Sequence, residues 1–334
     1  MGLGFLRLVI AVLGLISVGR AEAPAVPQPV PQAVARGVWL IQGLVVPDRQ
    51  PDGNTVIFEA PQGLVVMDTG RHEWQRAAIL TFARARKKPI VAVINSHWHL
   101  DHVSGNPALR AQYPDLQVYA SDAIDRALTG FLASSAQENA EYVADARFPE
   151  ATRADIRADL LTIQNGAALR PDVVIKTSAP VKLGGRLLEI NLAVNAATAG
   201  DIWVYDPRSR VVATGDLVTL PAPYLDTACP EGWRLALAKV AATPFDTAIP
   251  GHGAPMTRAQ FSLYQAAYGK FLECSSSVER AKEQCAASWA DAVRPLLSAG
   301  DAEVRRAQST AEYYVALLRA NGGRSRYCEA PREG

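Results

Sequence analysis

The feature that most restricts the fold is a cluster of metal-binding side chains directly after a short apolar run. Three of the five histidines lie in residues 97–102, which read His-Trp-His-Leu-Asp-His and follow Ile90–Ile94. A continuous apolar run of this length is typical of a buried β-strand. Imidazoles two residues apart just beyond a strand end project to the same side and can bind one ion. The pattern therefore predicts a sheet with a metal site at a strand end.

A fourth histidine, His252, lies far along the chain between two glycines. Asp101 and His102 follow where the chain is expected to turn into a short helix, so they should face a neighbouring position. Packing does not explain this clustering, because core histidines are usually solitary. Imidazole and carboxylate ligands favour zinc, iron or manganese over calcium, and zinc is the common hydrolytic metal. We expect two adjacent metal positions, with zinc as the leading metal and iron or manganese as alternatives.

The remaining patterns predict an α/β fold. Short β-branched runs in residues 37–44 and 54–68 indicate hairpin strands, and the spacing from Glu73 to Lys88 indicates a helix that ends before Pro89. Residues 122–164 are alanine-rich and charged, and we expect two helices outside the sheet there. Strand patterns that we assign to a second sheet return at residues 173–175, 186–194, 202–205 and 210–213. Helical patterns then run from Thr257 to about Ala320.

Composition restricts the class of partner. The chain has 334 residues, of which 49% are hydrophobic, so it can bury a large core. Its 34 basic and 33 acidic residues nearly cancel, which gives no field strong enough to attract nucleic acid or an anionic membrane. We therefore expect a small-molecule substrate and no nucleic acid, while the oligomeric state stays open.

The N-terminus is typical of an exported protein. Residues 1–23 combine a basic start, a short apolar run and small residues, which predicts a secretory signal peptide cleaved after Ala21 or Ala23. Pro24 disfavours the second cleavage site, and an uncleaved membrane anchor is the alternative. Residues 24–35 are proline-rich and should form an extended lead-in. We expect a periplasmic or secreted protein without stable membrane insertion after cleavage.

Four cysteines are confined to the last third of the chain. An even number in an exported chain predicts two disulfides, and three pairings are open. We favour Cys274 with Cys285, which would close a local helical turn, and Cys229 with Cys328. A zinc site built from cysteines is the alternative, but the sequence contains no Cys-x-x-Cys pair.

The motifs resemble those of the metallo-β-lactamase superfamily, and of its exported hydrolases in particular. The His-x-His-x-Asp-His cluster lies between an Asp-Thr-Gly segment at residues 68–70 and a Thr-Gly-Asp segment at 214–216, and a Gly-His-Gly segment follows at 251–253. The resemblance extends from about Gly37 to Ala254. It implies a four-layer αββα sandwich of two mixed β-sheets flanked by helices in residues 36–256. The helical insert interrupts this domain, and residues 257–334 would form a helical extension packed on it.

The resemblance also implies roles for individual side chains. His97 and His99 would bind a first metal, and Asp101, His102 and His252 a second, with Asp216 bridging the two. Asp101 or Asp216 would orient a metal-bound water and accept its proton, which leaves hydroxide as the nucleophile. Asp68 would orient the metal-bearing loop through hydrogen bonds without touching an ion. Tyr224 is a candidate substrate contact on a loop after Asp216.

One departure from the family pattern affects the first position. The family takes a third histidine from a His-Thr-x-Gly-Asp segment, and the corresponding residues 197–201 here begin with Ala197. His72 is the one histidine left over, and we expect it to be solvated at the start of a helix. The chain should therefore bind its second metal more tightly than its first. Trp98 and Leu100, which alternate with the ligands, are expected to point into the core.

The leading functional hypothesis is a zinc-dependent hydrolase of a small-molecule ester, thioester, amide or lactam. One alternative is a mononuclear iron oxygenase, because two histidines and one carboxylate form the site of persulfide-oxidising relatives of this fold. Another is a periplasmic accessory protein that has lost catalysis and is associated with a quinoprotein redox system, a setting that some exported relatives suggest. We do not expect the chain to be a true β-lactamase, because the insert and the C-terminal helices would reshape an open antibiotic groove.

Overall fold

The computed structural model describes residue 26 and residues 28–298 and 300–328. The predicted signal peptide, residues 1–23, lies outside these residues, so it stays a prediction. Within the described part of the chain, no helix is long and apolar enough to cross a membrane.

The first sheet has seven strands among the described residues, arranged in sequence order. Neighbours are antiparallel from the first strand to the fourth and parallel from the fourth to the seventh. The strands are β1 (Gln32–Ala35), β2 (Val38–Ile41), β3 (Thr55–Ala60), β4 (Gly63–Met67), β5 (Ile90–Ile94), β6 (Gln117–Ala120) and β7 (Val173–Val174). β5 coincides with the predicted apolar strand. β7 corrects a prediction, because it pairs with β6 in this sheet and does not belong to the second one.

The second sheet has six described strands in the order β13-β12-β11-β10-β9-β8. Only the pair formed by β11 and β12 is parallel among them. The strands are β8 (Ala179–Leu183), β9 (Arg186–Val194), β10 (Gly200–Asp206), β11 (Val211–Thr219), β12 (Thr247–His252) and β13 (Met256–Thr257). The parallel pair aligns the ends of two strands that carry candidate metal ligands.

In the described chain, helices follow the first four strands, lie between later strands and follow the last one. They are α1 (Glu73–Arg86), α2 (Leu100–Val103), α3 (Asn106–Gln112), α4 (Ala123–Thr129), α5 (Phe131–Ala144), α6 (Glu150–Gln164), α7 (Pro230–Ala242), α8 (Arg258–Ser276), α9 (Lys282–Val293) and α10 (Asp301–Ala320), with short 3-10 helices at Gly166–Leu169 and Arg294–Leu296. The insert holds three helices where the sequence predicted two, because Gly130 leaves the helical conformation between α4 and α5.

Apolar residues form a layer between the sheets and a layer on each outer face. The inner layer includes Phe58 and Ile94 of the first sheet and Val204 of the second. Residues of α1 pack on the outer face of the first sheet. Residues of α7 to α10 pack on the outer face of the second sheet. The predicted fold, two mixed sheets flanked by helices, is confirmed.

Two features of the chain ends complete the architecture. The first sheet begins at Gln32, inside the segment predicted to be a lead-in, because β1 pairs with β2. The structure joins Cys274 of α8 to Cys285 of α9, and Cys229 before α7 to Cys328. This is the pairing favoured from the sequence.

A buried arginine of the second sheet forms an ion pair within that sheet and hydrogen bonds to the first sheet. Arg186, at the start of β9, donates through Nε to Asp206 Oδ1 at 3.1 Å. Its Nη1 also donates to the carbonyl oxygens of Gly37 and Glu59 in the first sheet, at 2.7 and 2.8 Å. The side chains of Arg186 and Asp206 are 2% and 0% exposed. One guanidinium therefore satisfies buried acceptors of both sheets.

We predict that Arg186→Ala lowers the free energy of unfolding by about 3–5 kcal/mol, because it leaves the Asp206 carboxylate buried without its cation. Urea denaturation measures the change. Arg210→Ala is the matched control, since Arg210 forms an exposed pair with Asp246 and should contribute less than about 1 kcal/mol. Equal losses for the two variants would show that the buried ion pair of Arg186 stabilises the fold no more than an exposed one.

Candidate metal centre

The candidate ligands lie at strand ends and on the loops that follow them. β5 leads directly to Ser96 and the histidine cluster, and the cluster ends in the short helix α2. Asp216 lies within β11 and His252 is the last residue of the neighbouring β12. Because parallel strands end at the same edge of a sheet, β11 and β12 deliver their side chains to one place. The order of elements thus brings residues from distant parts of the chain together.

Two groups of three side chains are arranged to hold a cation. His97, His99 and Asp216 form the first triad, and Asp101, His102 and His252 form the second. Within each triad, one potential ligand atom per residue lies within 4.8 Å of the others. All six side chains that the sequence predicted as ligands therefore lie in one of the two triads.

Asp216 lies between the triads. Its Oδ2 is 3.6 Å from Nε2 of His97, and its Oδ1 is 3.2 Å from Nε2 of His102. In the second triad, Asp101 Oδ2 lies 3.0 Å from Nε2 of His252 and 3.5 Å from Nε2 of His102. One carboxylate thus faces both groups, which is the placement expected of a bridging ligand.

Buried polar atoms without partners show that the residues fit a metal ion. Nε2 of His97 and Oδ1 of Asp216 are buried and make no hydrogen bond of normal geometry with the described residues. Burial and the neighbouring imidazoles of His102 and His99 hold the pKa of His97 well below its usual range, so its ring is neutral and can offer a lone pair. A cation at each triad would satisfy atoms that the protein itself leaves unpaired.

Asp68 positions the ligand loop from behind. Its carboxylate accepts hydrogen bonds from the backbone N–H of Ser96 at 2.7 Å and from Ser96 Oγ at 2.6 Å. Its Oδ2 also lies 2.8 Å from Nδ1 of His102, which leaves Nε2 of that ring to face the second triad. Asp68 has a positive φ of 64°, an unfavourable backbone conformation for a residue with a side chain. The carboxylate therefore orients ligands without joining either triad.

Two glycines allow the backbone to approach the centre closely. A Cβ atom on Gly53 would lie 2.4 Å from the ring of His102, and one on Gly251 would lie 2.0 Å from Asp216 Oδ1. Both distances are shorter than carbon atoms tolerate. Any side chain at these positions would displace a candidate ligand.

Thr227 lies next to the position where the family pattern has a third histidine. Its hydroxyl donates to the carbonyl oxygen of Ala197 at 3.0 Å, and it lies 3.1 Å from Nε2 of His99. The hydroxyl therefore accepts a hydrogen bond from the Nε2–H of His99, which leaves Nδ1 as the ring nitrogen with a free lone pair. Ala197 itself is buried in the apolar layer of the second sheet.

Tyr224 borders the centre on its solvent side. Its ring meets that of His252 edge to face, with centroids 5.6 Å apart. It lines a cavity of about 280 Å³ together with Asp101 and Asp216, and its contact with a substrate stays a prediction. Burial raises the pKa of Tyr224, so its phenol stays protonated and can donate a hydrogen bond. Trp98 and Leu100 are buried in an apolar cluster, as predicted.

The prediction for His72 is wrong. His72 is only 7% exposed, so it is not solvated. Its ring lies between two carboxylates. Nδ1 lies 2.8 Å from Asp52 Oδ2, and Nε2 lies 3.2 Å from Asp155 Oδ2 on helix α6. Burial alone would lower its pKa, but Asp155 and Asp52 outweigh burial and raise the pKa. The sequence gives no sign of this arrangement, since Asp155 lies in the insert.

Arg71 carries this charged network to the metal centre. It forms an ion pair with Asp159 of helix α6, and its Nη2 lies 3.9 Å from Asp101 Oδ1. Four residues around the centre were not predicted from the sequence, namely Arg71, Asp159, Ser96 and Thr227. Two of them, Ser96 and Arg71, adjoin recognised motifs and could have been selected on that ground. Asp159 and Thr227 come from distant segments and carry no local signal.

Comparisons with known proteins agree with this geometry. A family model for the metallo-beta-lactamase superfamily matches residues 49–252, more than half of the chain. An (R)-specific secondary-alkylsulfatase from Pseudomonas sp. is 29% identical over 217 residues, which cover 60% of this chain and 32% of that protein. The chain therefore spans about a third of the length of this curated relative.

Solved structures share the fold. A stereoselective inverting sec-alkylsulfatase from Pseudomonas sp. has a TM-score of 0.59 and 20% identity, with 87% of this chain and 50% of that chain covered. A metallo-beta-lactamase from Pontibacter korlensis has a TM-score of 0.53 and 21% identity, with 72% of this chain and 99% of that chain covered. At these identities the likeness concerns the fold.

We predict that His72→Gln destabilises the protein by about 2 kcal/mol near pH 5 and by less near pH 9. Because the folded pKa is raised, the stabilising charge is fully present below the unfolded pKa of about 6.5 and is lost as pH rises through the folded value. A neutral imidazole can donate to only one of the two carboxylates. Chemical denaturation of parent and variant at both pH values gives the difference. A loss that is independent of pH would show that His72 is not charged between Asp52 and Asp155.

Proposed function

This chain belongs to the metallo-β-lactamase superfamily, and we propose that it is a metal-dependent hydrolase of a small-molecule ester, thioester, amide or lactam. The observation that carries the proposal is the pair of adjacent triads on either side of Asp216, next to a cavity open to substrate. Structural metal sites are usually closed by protein ligands, whereas catalytic sites adjoin space for a reactant. The arrangement fits the second kind.

Zinc is the proposed metal, held by His97, His99 and Asp216 at one position and by Asp101, His102 and His252 at the other. When bound, such an ion supplies Lewis-acid chemistry and lowers the pKa of a water molecule. Asp101 faces the cavity, and we assign it the uptake of the proton that the attacking water releases. Asp216 would orient the same water, and Tyr224 would donate a hydrogen bond to the substrate.

We propose that the two positions differ in affinity. The second triad contains two imidazoles and a carboxylate, and Asp216 adds a further oxygen on its side. The first has only His97, His99 and a share of Asp216, since Ala197 offers no ligand. Thr227 stabilises the orientation of His99 through a hydrogen bond to Nε2, but it does not replace the missing ligand. The second position should therefore bind its ion more tightly.

Sulfate esters are a second candidate substrate class. The curated relative at 29% identity is a secondary-alkylsulfatase, and its match covers 60% of this chain. The same residues would serve this reaction, because hydrolysis of a sulfate ester also needs an activated water and a cation near the charge that develops. A substrate panel has to contain both classes.

We place the protein in an oxidising compartment, the periplasm or the cell exterior. Two disulfides link described residues, and such bonds persist where thiols are not kept reduced. The nearly balanced charge of the chain favours a small-molecule substrate over nucleic acid.

The test is turnover by zinc-loaded and manganese-loaded protein on a panel of carboxylic esters, thioesters, amides, lactams and alkyl sulfates. We expect hydrolysis of at least one class and a loss of about 100-fold or more in kcat/KM for Asp101→Ala. Asp246→Ala is the matched control, because Asp246 is an exposed aspartate on an ion pair away from the centre. No turnover with any class, or equal rates for the two variants, would refute the proposal.

A further inference from the structure

The cavity beside the metal centre has one apolar side. It holds about 280 Å³, and its walls include the candidate ligands His99, Asp101 and Asp216. Four apolar side chains line it as well, namely Trp98, Leu100, Phe131 and Leu132. Any group bound there would lie within contact distance of the residues proposed to cleave the substrate.

Several polar groups of this wall already have partners. Asp159 is paired with Arg71, and the Asp226 carboxylate accepts a hydrogen bond from Tyr314 Oη at 2.5 Å. Asn139 donates to Ser135 Oγ at 3.0 Å. Away from the triads, the wall therefore offers apolar surface and few polar atoms in need of a partner. Such a wall favours an apolar group over a charged one.

Phe131 is one of the four apolar residues on this side of the cavity. It is the first residue of helix α5 in the insert, and it is half-buried. Its ring centroid lies 5.5 Å from that of Trp98 and 5.2 Å from that of Tyr327. Tyr327 adjoins Cys328, which a disulfide ties to Cys229. The ring is thus held between the ligand loop and the C-terminal segment, on the wall of the cavity.

We infer that this cavity binds a compact apolar group of the substrate, an aryl ring or a short alkyl chain, and that Phe131 sets the limit on its length. The inference rests on the proposed function for the bond that is cleaved. Each methylene that enters the cavity should tighten binding about fourfold, until the chain reaches the Phe131 ring. Beyond that length, further methylenes stay in solvent and add little.

The test uses binding rather than turnover, so that it stands apart from the test of hydrolysis. Linear alkylphosphonates from ethyl to decyl, whose charged head resembles a hydrolysis product, are titrated calorimetrically into zinc-loaded protein. For the parent, affinity should rise with chain length and then level off. Phe131→Ala should shift the levelling point to longer chains and change the decyl-to-butyl affinity ratio by about tenfold.

Matched variants separate this role from a general effect on folding. Phe148→Ala removes an aromatic ring from the same insert, away from the cavity, and should leave the chain-length profile unchanged. Tyr327→Ala removes the support of the Phe131 ring and should shift the profile in the same direction as Phe131→Ala, but less. Phe131→Leu keeps an apolar side chain if the alanine variant does not fold.

An identical profile for the parent and Phe131→Ala, or no dependence on chain length in the parent, would overturn the inference. Turnover on the substrate panel with an unchanged profile would reject the inference and leave the proposed function standing. The reverse result, a shifted profile without turnover on any substrate, would support the role of Phe131 in the cavity and reject the proposed hydrolysis.

Discussion

The structure depends on one constraint, which is that buried carboxylates need cationic or hydrogen-bonding partners. Asp216 lies buried between two groups of imidazoles, and one of its oxygens has no hydrogen bond of normal geometry within the described chain. Both oxygens of the Asp68 carboxylate, by contrast, have hydrogen-bonding partners in Ser96 and His102. The two sheets meet where these carboxylates and imidazoles can share cations, and this requirement explains the close backbone approach at Gly53 and Gly251.

The same constraint connects the helical insert to the centre. Asp155 and Asp159 of α6 are buried, and each finds a cation on the segment that follows β4, His72 in one case and Arg71 in the other. Arg71 then approaches Asp101. The insert therefore contributes a charged side chain of α6 and apolar side chains of α5 to the cavity beside the centre. Both contributions come from residues outside the six candidate ligands.

The fold and the six candidate ligands could be predicted because their signals are local. The apolar run before His97, the spacing of the imidazoles and the glycines beside His252 each lie within a few residues. His72 was misplaced because its partners, Asp52 and Asp155, are distant in sequence, and burial of an ion pair leaves no local pattern. The pairing of β7 with β6 depends on tertiary packing in the same way, whereas the break between α4 and α5 lies at Gly130, a local signal that the prediction of two helices did not use.

We propose that one buried centre holds two cation positions of unequal strength on either side of Asp216. Calorimetric titration of zinc into metal-free protein tests it most directly. We expect two zinc-binding events of different affinity, with the tighter event lost in His252→Ala and the weaker one lost in His97→Ala. A single event that both variants weaken equally, or no zinc binding at all, would contradict it.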